Sequence, residues 1–177
     1  MNGPELPDLP SAPMFELAAL GAMLLNQDAL DYGLQQLSPR MFSSNANRLT
    51  FIAMKRLRAA LARGDILAIG PIETAQEMHV MGRWKHAGEA FTYCNACVDY
   101  CHAPQNFKHY IDTVRDKAQL RSFYALGEFM ALGEATQAAA LQPDADPRHV
   151  ASCIANCLNA ITRDGYVDVK AVFEKAK

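Results

Sequence analysis

The densest group of chemically active side chains in the chain is Cys94-Asn95-Ala96-Cys97-Val98-Asp99-Tyr100-Cys101-His102. Thiolates and an imidazole are the ligands that hold zinc in tetrahedral sites, and an accessible thiol of lowered pKa is what a redox sensor requires. The spacing points elsewhere. Positions 94, 97 and 101 stand at i, i+3 and i+7, one face of a helix, and Cys153 and Cys157 at i and i+4 repeat the pattern farther on. Structural zinc sites draw their ligands from two separated segments, often two CxxC knuckles, whereas a reduced cysteine packs as a small hydrophobe. The cysteines therefore read as core residues, with no metal and no cofactor expected. A metal- or redox-sensing helical protein using Cys94, Cys97, Cys101 and His102 is the alternative.

Other catalytic patterns are missing. No GxxxxGK[ST] loop is present to cradle a nucleotide's phosphates, and neither GxSxG nor HExxH occurs. His79, His86, His109 and His149 are scattered without a partner at ligand spacing and read as surface residues. Trp84 follows a helix end and reads as a lid on the core. Lys55, Arg56, Arg58 and Arg63 form a basic helical run, read as a solvated face. The 17 Lys and Arg residues against 19 Asp and Glu leave a net charge of -2, without the basic excess of a phosphate-binding module, so tight direct nucleic-acid binding is not expected. These absences argue against an enzyme.

In a chain of 177 residues, 50% hydrophobic and 20% charged, one core is the default and disorder is excluded. No apolar run approaches the roughly 18 residues of a membrane span. An odd number of cysteines, 5, and the absence of a leader-like apolar stretch in MNGPELPDLPSAP suit a reducing, cytoplasmic setting.

The elements that must position these residues are helical throughout. Pro4, Pro7, Pro10 and Pro13 keep residues 1–13 as an extended, mobile arm. Leu17, Leu20, Gly21, Leu24 and Leu25 then predict an amphipathic helix, and Asp28 a cap for a second helix carrying Leu30, Leu34 and Leu37. After Ser38-Pro39, Met41 and Phe42 turn into the core, and a third helix carries Leu49, Ile52, Ala53 and Leu57 up to Gly64. Gly70-Pro71 opens a fourth helix, and a fifth runs from about Glu89 to Cys101.

A long helix from Phe107 to about Leu132, with Asn106 as its cap, carries two apolar stripes: Phe107, Tyr110, Ile111, Val114 and Ala118, then Leu120, Phe123, Tyr124 and Met130. The second stripe needs another element or another chain to cover it. Asp144-Ala145-Asp146-Pro147 supplies a cap and a first-turn proline for a last main helix with Val150, Cys153, Ile154, Cys157, Leu158 and Ile161, and Val169, Val172, Phe173 and Ala176 mark a short amphipathic segment after Gly165. With no period-2 alternation, the fold class is all-α. The expected layout is an arm at 1–13, a globule of five to six helices at 14–104, an antiparallel helical hairpin at 105–165, and the start of a linker helix or tail at 166–177.

A family resemblance rests on an ordered series of motifs. The first is Phe15-Glu16-Leu17-Ala18-Ala19-Leu20-Gly21-Ala22-Met23-Leu24-Leu25, followed by Leu37-Ser38-Pro39-Arg40-Met41-Phe42 and by Asn47-Arg48-Leu49-Thr50-Phe51-Ile52-Ala53-Met54. Then come Ala87-Gly88-Glu89-Ala90-Phe91-Thr92-Tyr93 and the series Pro104, Asn106, Tyr110, Ile111, Val114, Arg115, Lys117, Leu120 and Arg121. Over Phe15 to Arg163 the chain resembles the N-terminal domain of DnaB-type bacterial replicative DNA helicases. It departs from the family pattern where Asn47 takes a His position, where Leu67-Ala68 replaces Ile-Asp, and where Glu89 replaces one glycine of a pair.

The resemblance implies a helical globule and a hairpin that pairs two chains, with dimers joining into a trimeric ring collar where primase and some helicase loaders dock. It also implies that Val169 to Ala176 begins a linker helix that packs on a neighbouring subunit's motor domain. The expected role is thus a non-enzymatic oligomerisation and docking domain, either part of a helicase or a stand-alone phage or plasmid homologue that co-assembles with, loads or inhibits one. Its partners would be a second copy, in a dimer or a trimer of dimers, the helicase motor domain, and primase or a loader. Leu120, Phe123, Tyr124, Met130, Ile154 and Leu158 are the expected interface residues.

Overall fold

The first helix, α1 (Pro13–Leu25), begins earlier than the apolar repeat at Leu17 indicates. Pro13 occupies the first turn, where its missing donor costs nothing, and Glu16 N–H already bonds to the Ala12 carbonyl at 2.9 Å. These coordinates belong to a computed structural model that describes residues 10–82, 84–129 and 140–164, with side chains left out for 123–129 and 157–164. Among the described residues there are seven α-helices and no strand.

Helix α1 is the central helix and is not amphipathic: Glu16 and every residue from Ala18 to Leu24 are buried. A helix covered all round has to sit inside its unit. Its small residues explain how. A Cβ on Gly21 would lie 2.1 Å from the Cys97 carbonyl oxygen, so α5 (Ala87–Tyr100) approaches α1 to backbone contact at a place that only glycine permits. Helix α2 (Gln27–Gln36) packs on α1, and its cap is Asn26 where Asp28 was expected. The Asn26 Oδ1 accepts from the amides of Asp28 at 2.7 Å and Ala29 at 3.2 Å. Asp28 lies inside the first turn, where its charge suits the helix dipole.

A 3-10 turn at Pro39–Met41 leads into α3 (Asn45–Arg63), capped by the Ser44 hydroxyl and ended by Gly64 at φ +79°. The buried face of α3 differs from the expected stripe. Asn47, Thr50, Phe51, Ala53, Met54 and Leu57 are covered, while Leu49 and Ile52 are half-buried flanks. Two polar residues occupy the covered face because their partners lie there too: Thr50 bonds to the Ala46 carbonyl at 2.9 Å, and Asn47 joins Glu16. Helix α4 (Pro71–Val80) packs between α3 and α5.

A second 3-10 turn, Pro104–Asn106, directly precedes α6 (Phe107–Phe129). The chain divides into two compact units, Ala12–Arg115 and Met1–Ser11 with Asp116–Lys177. In the first unit Ile111 and Val114 complete the core around α1, and Phe107 and Tyr110 pack against it. In the second unit α7 (Pro147–Asp164) starts as the sequence predicts, with Asp146 Oδ1 accepting from Arg148 N–H at 2.9 Å. Ala118, Leu120, Val150, Cys153 and Ile154 are buried. The described end of the arm is anchored: Arg121 Nη1 donates to the Pro10 carbonyl at 2.8 Å. The segment Val169 to Ala176 lies outside the described residues.

Candidate functional site

Helix α5 turns Cys94 and Cys97 into the core, and Cys101 caps its end. All three are buried, and His102, the fourth member of the cluster, is exposed. Burial pushes the Cys94 thiol up to about 11 and the Cys97 thiol to about 12, the latter helped by the neighbouring Cys94. Burial also raises the pKa of Cys101. A metal-ligating or redox-active cysteine needs the opposite, a thiolate stabilised by positive charge within reach of solvent. Cys94 Sγ instead lies 3.8 Å from Met78 Sδ, a sulfur contact inside the core. The same holds for Cys153 on α7, buried with its thiol pushed up by burial, while the side chain of Cys157 lies outside the described residues. The described cysteines are thus packing residues.

The basic run on α3 is a solvated face, with Lys55, Arg56 and Arg63 exposed, and its arginines pair with carboxylates there. Arg56 pairs with Glu77 at 2.8 Å, Arg58 with Asp31 at 2.7 Å and Arg63 with Asp65 at 2.8 Å. The Arg58 hydrogen bond holds the Asp31 carboxyl below its usual range, against the opposing effect of burial. Trp84 is half-buried, with its ring 5.5 Å from that of Tyr93, and it packs against the core as a lid. The four scattered histidines are exposed, though His79 Nδ1 lies 3.1 Å from the Trp84 carbonyl.

Of the expected interface residues, Leu120 on α6 and Ile154 on α7 are buried in the single chain. The side chains of Phe123, Tyr124, Met130 and Leu158 lie outside the described residues.

One polar cluster escaped sequence reasoning. Glu16 on α1 is buried, and its carboxylate accepts from Ser43 N–H at 2.9 Å, Ser43 Oγ at 2.7 Å and Asn47 Nδ2 at 2.7 Å. The Tyr93 hydroxyl on α5 donates to Asn47 Oδ1. Burial is the main reason that Tyr93 titrates at about 12, with the nearby Cys97, Glu16 and Cys94 adding to it. Glu16, Asn47 and Tyr93 each belong to a different one of the motifs quoted above, so the cluster ties the three motif-bearing helices together. The signal was available: a carboxylate within an otherwise apolar turn, Phe15-Glu16-Leu17-Ala18, is dictated by a partner and not by solvent.

These features describe an all-helical domain whose motifs meet in a buried network and whose described residues group no metal-binding set. Residues 8–116 match the family described as the DnaB-like helicase N terminal domain, more than half of the chain, and the chain belongs to that family. Among solved structures, the crystal structure of the N-terminal domain of DnaB helicase from Mycobacterium tuberculosis has a similar fold, with a TM-score of 0.56 at 20% identity over 96% of each chain. No curated protein matches the chain. No helix among the described residues is long and apolar enough to cross a membrane.

Proposed function

We propose that these residues form a non-enzymatic oligomerisation and protein-docking domain of a replicative DNA helicase. It contributes to a ring collar where primase or a helicase loader binds. The observation that carries this reading is the family match over residues 8–116, in a sequence without a phosphate-cradling loop. The second apolar stripe of α6 supports self-association. Leu120 and Ile154 are already covered in one chain, so the contact surface falls to Phe123, Tyr124, Met130 and Leu158, with the two buried residues as support. A chain of this kind encoded by itself co-assembles with a helicase, loading or inhibiting it. ATP hydrolysis by these 177 residues is not expected.

Light scattering on the purified chain tests the assembly step, with Phe123→Glu as the variant that breaks it. Co-purification with a helicase motor domain and with primase tests the docking step. A monomer at tens of micromolar, together with no co-purification, would refute the proposal.

A further inference from the structure

The chain ahead of α1 repeats itself every third residue: Pro4-Glu5-Leu6, Pro7-Asp8-Leu9, Pro10-Ser11-Ala12, then Pro13 at the start of the helix. Three residues make one turn of a polyproline II helix, so on that backbone the repeat sorts into three lines. Prolines run along the first, Glu5, Asp8 and Ser11 along the second, and Leu6, Leu9 and Ala12 along the third. Proline at every third position also favours this backbone, because its ring fixes its own φ and restrains the residue before it.

The triplet Pro10–Ala12 follows the pattern in its burial: Pro10 is buried, Ser11 exposed and Ala12 half-buried. The Pro10 carbonyl accepts a hydrogen bond of 2.8 Å from Arg121 Nη1 on α6. A polyproline helix has no internal hydrogen bonds, so its carbonyls need outside donors, and the sites that bind it join such donors to aromatic surface. Tyr124 stands one turn beyond Arg121 on the same side of α6.

Direction and length agree with that placement. Residues up to Ser11 group with Asp116–Lys177, and within this unit the arm meets α6 at Arg121. Ala12 groups instead with the part of α6 that ends at Arg115, so the arm runs back from Pro10 toward the far end of the helix. Residues 4–9, outside the described residues, continue the same triplet. As a polyproline helix they span about 19 Å. The stretch of α6 from Arg121 to Phe129 is about 12 Å long.

We propose that residues 4–10 dock on α6 of their own chain as a polyproline strap, with the proline line against the Tyr124 position and Arg121 as carbonyl donor. Glu5 and Asp8 then share the outward line of exposed Ser11. Docking requires no second copy. The inference meets the functional reading above at one point, and there it rests on that reading: Tyr124 belongs to the stripe assigned to self-association, so a docked strap and a second copy compete for it.

The test compares amide spectra of the isotopically labelled full chain with those of a variant carrying Pro4→Gly and Pro7→Gly, both recorded below the association range. The expected shifts fall at Arg121 to Glu128 and leave Ala12 to Arg115 unchanged. A chain lacking residues 1–11 should show the same shifts. A synthetic peptide of residues 2–11 should reverse them, with about tenfold weaker binding when Gly replaces Pro4 and Pro7. Arg121→Ala should weaken the peptide by about tenfold as well. Light scattering should show self-association about tenfold tighter in the shortened chain than in the intact one.

Unmoved amides from Arg121 to Glu128, or a peptide that binds elsewhere, overturns the strap. Weaker self-association after deletion also overturns it, since the arm would then be exchanged between copies. If intact and shortened chains are both monomeric at tens of micromolar while the α6 shifts and peptide binding persist, self-association is refuted and the strap stands.

Discussion

Glu16 Oε2 accepts a hydrogen bond of 2.7 Å from Asn47 Nδ2, although α1 and α3 carry the two residues far apart in sequence. The contact is buried, and Ser43 supplies two more donors to the same carboxylate. Replacing Glu16 by Ala leaves the buried Asn47 amide without its acceptor, while the Ser43 amide and hydroxyl, on an exposed residue, exchange the carboxylate for water. The expected loss is about 2–4 kcal/mol of unfolding free energy, read from urea melts. Asn47→His keeps a ring N–H donor for Glu16 and restores the residue type of the family pattern, so its cost should be well below that of Glu16→Ala. Equal costs for the two variants would mean that the network contributes little.

Two glycines offer a controlled contrast. At Gly21 an added Cβ meets the Cys97 carbonyl carbon and oxygen at 2.7 and 2.1 Å, both of them backbone atoms that cannot step aside. Gly21→Ala must push α1 from α5 and should cost about 3 kcal/mol or more. Gly64 ends α3 at φ +79° with nothing within 4 Å of the added atom, so Gly64→Ala meets backbone strain alone, about 1 kcal/mol. Thermal unfolding of the two variants should rank them in that order. The reverse order would contradict the helix approach described above.

The buried thiols make stability depend on alkaline pH. Cys94 and Cys97 ionise at about 11 and 12 in the folded chain against 9.0 in the unfolded one. Above pH 9 the unfolded chain releases these protons while the folded chain keeps them, so the unfolded state binds fewer protons and stability falls as pH rises. The contribution is fully present below pH 9 and is lost progressively toward pH 11–12. Urea midpoints from pH 7 to 11 should be flat and then drop. At pH 8 an aromatic disulfide reagent should label Cys94 and Cys97 after unfolding and not before. Rapid labelling of the native protein would revive the sensor reading.

Much of this was legible in advance, and the failures have physical causes. Gly64, Pro71, Asp146 and the face of Cys94, Cys97 and Cys101 were readable because caps, first-turn prolines and helical spacing are local rules. The buried face of α3 was misassigned because Leu49 and Ile52 are more hydrophobic than Asn47 and Thr50. Which of them goes inside was decided by Glu16, a tertiary partner that periodicity does not see. The cap of α2 moved from Asp28 to Asn26 because either residue type can cap, and the choice depends on where the chain leaves α1. Helix α1 looked amphipathic because alanine is a weak signal: Ala18, Ala19 and Ala22 are buried for the close approach they allow. The exposure of Ile72 on α4 and Phe91 on α5 left no motif at all, since an exposed apolar residue reads in sequence like a core residue.

Nucleic-acid binding should be weak for a reason visible in the ion pairs. Arg56, Arg58 and Arg63 are engaged with Glu77, Asp31 and Asp65, so binding phosphates means breaking those pairs in a chain of net charge -2. Fluorescence anisotropy with single-stranded DNA at moderate salt should give a dissociation constant weaker than about 1 μM. Glu77→Gln with Asp31→Asn releases two of the arginines, and this double variant should bind more tightly with a steeper salt dependence. Submicromolar binding by the unmodified chain would show that the α3 face is a phosphate site.

Helices α6 and α7 supply the last prediction. Leu120 and Ile154 are covered within one chain, so truncating them removes internal packing. Leu120→Ala should lower the melting temperature, with a cost of about 2–4 kcal/mol, whether or not the protein self-associates. Phe123, Tyr124 and Met130 belong to the second apolar stripe of the α6 sequence, and a charge there should act on assembly first. Phe123→Glu is therefore expected to shift light scattering from dimer or larger to monomer at tens of micromolar, while the melting temperature extrapolated to low concentration stays near that of the parent. The two variants separate what a single substitution would confuse. If Phe123→Glu unfolds the chain at every concentration, Phe123 packs inside its own unit. If it changes neither mass nor melting, the second stripe does not mediate self-association, and the collar proposal loses its structural support.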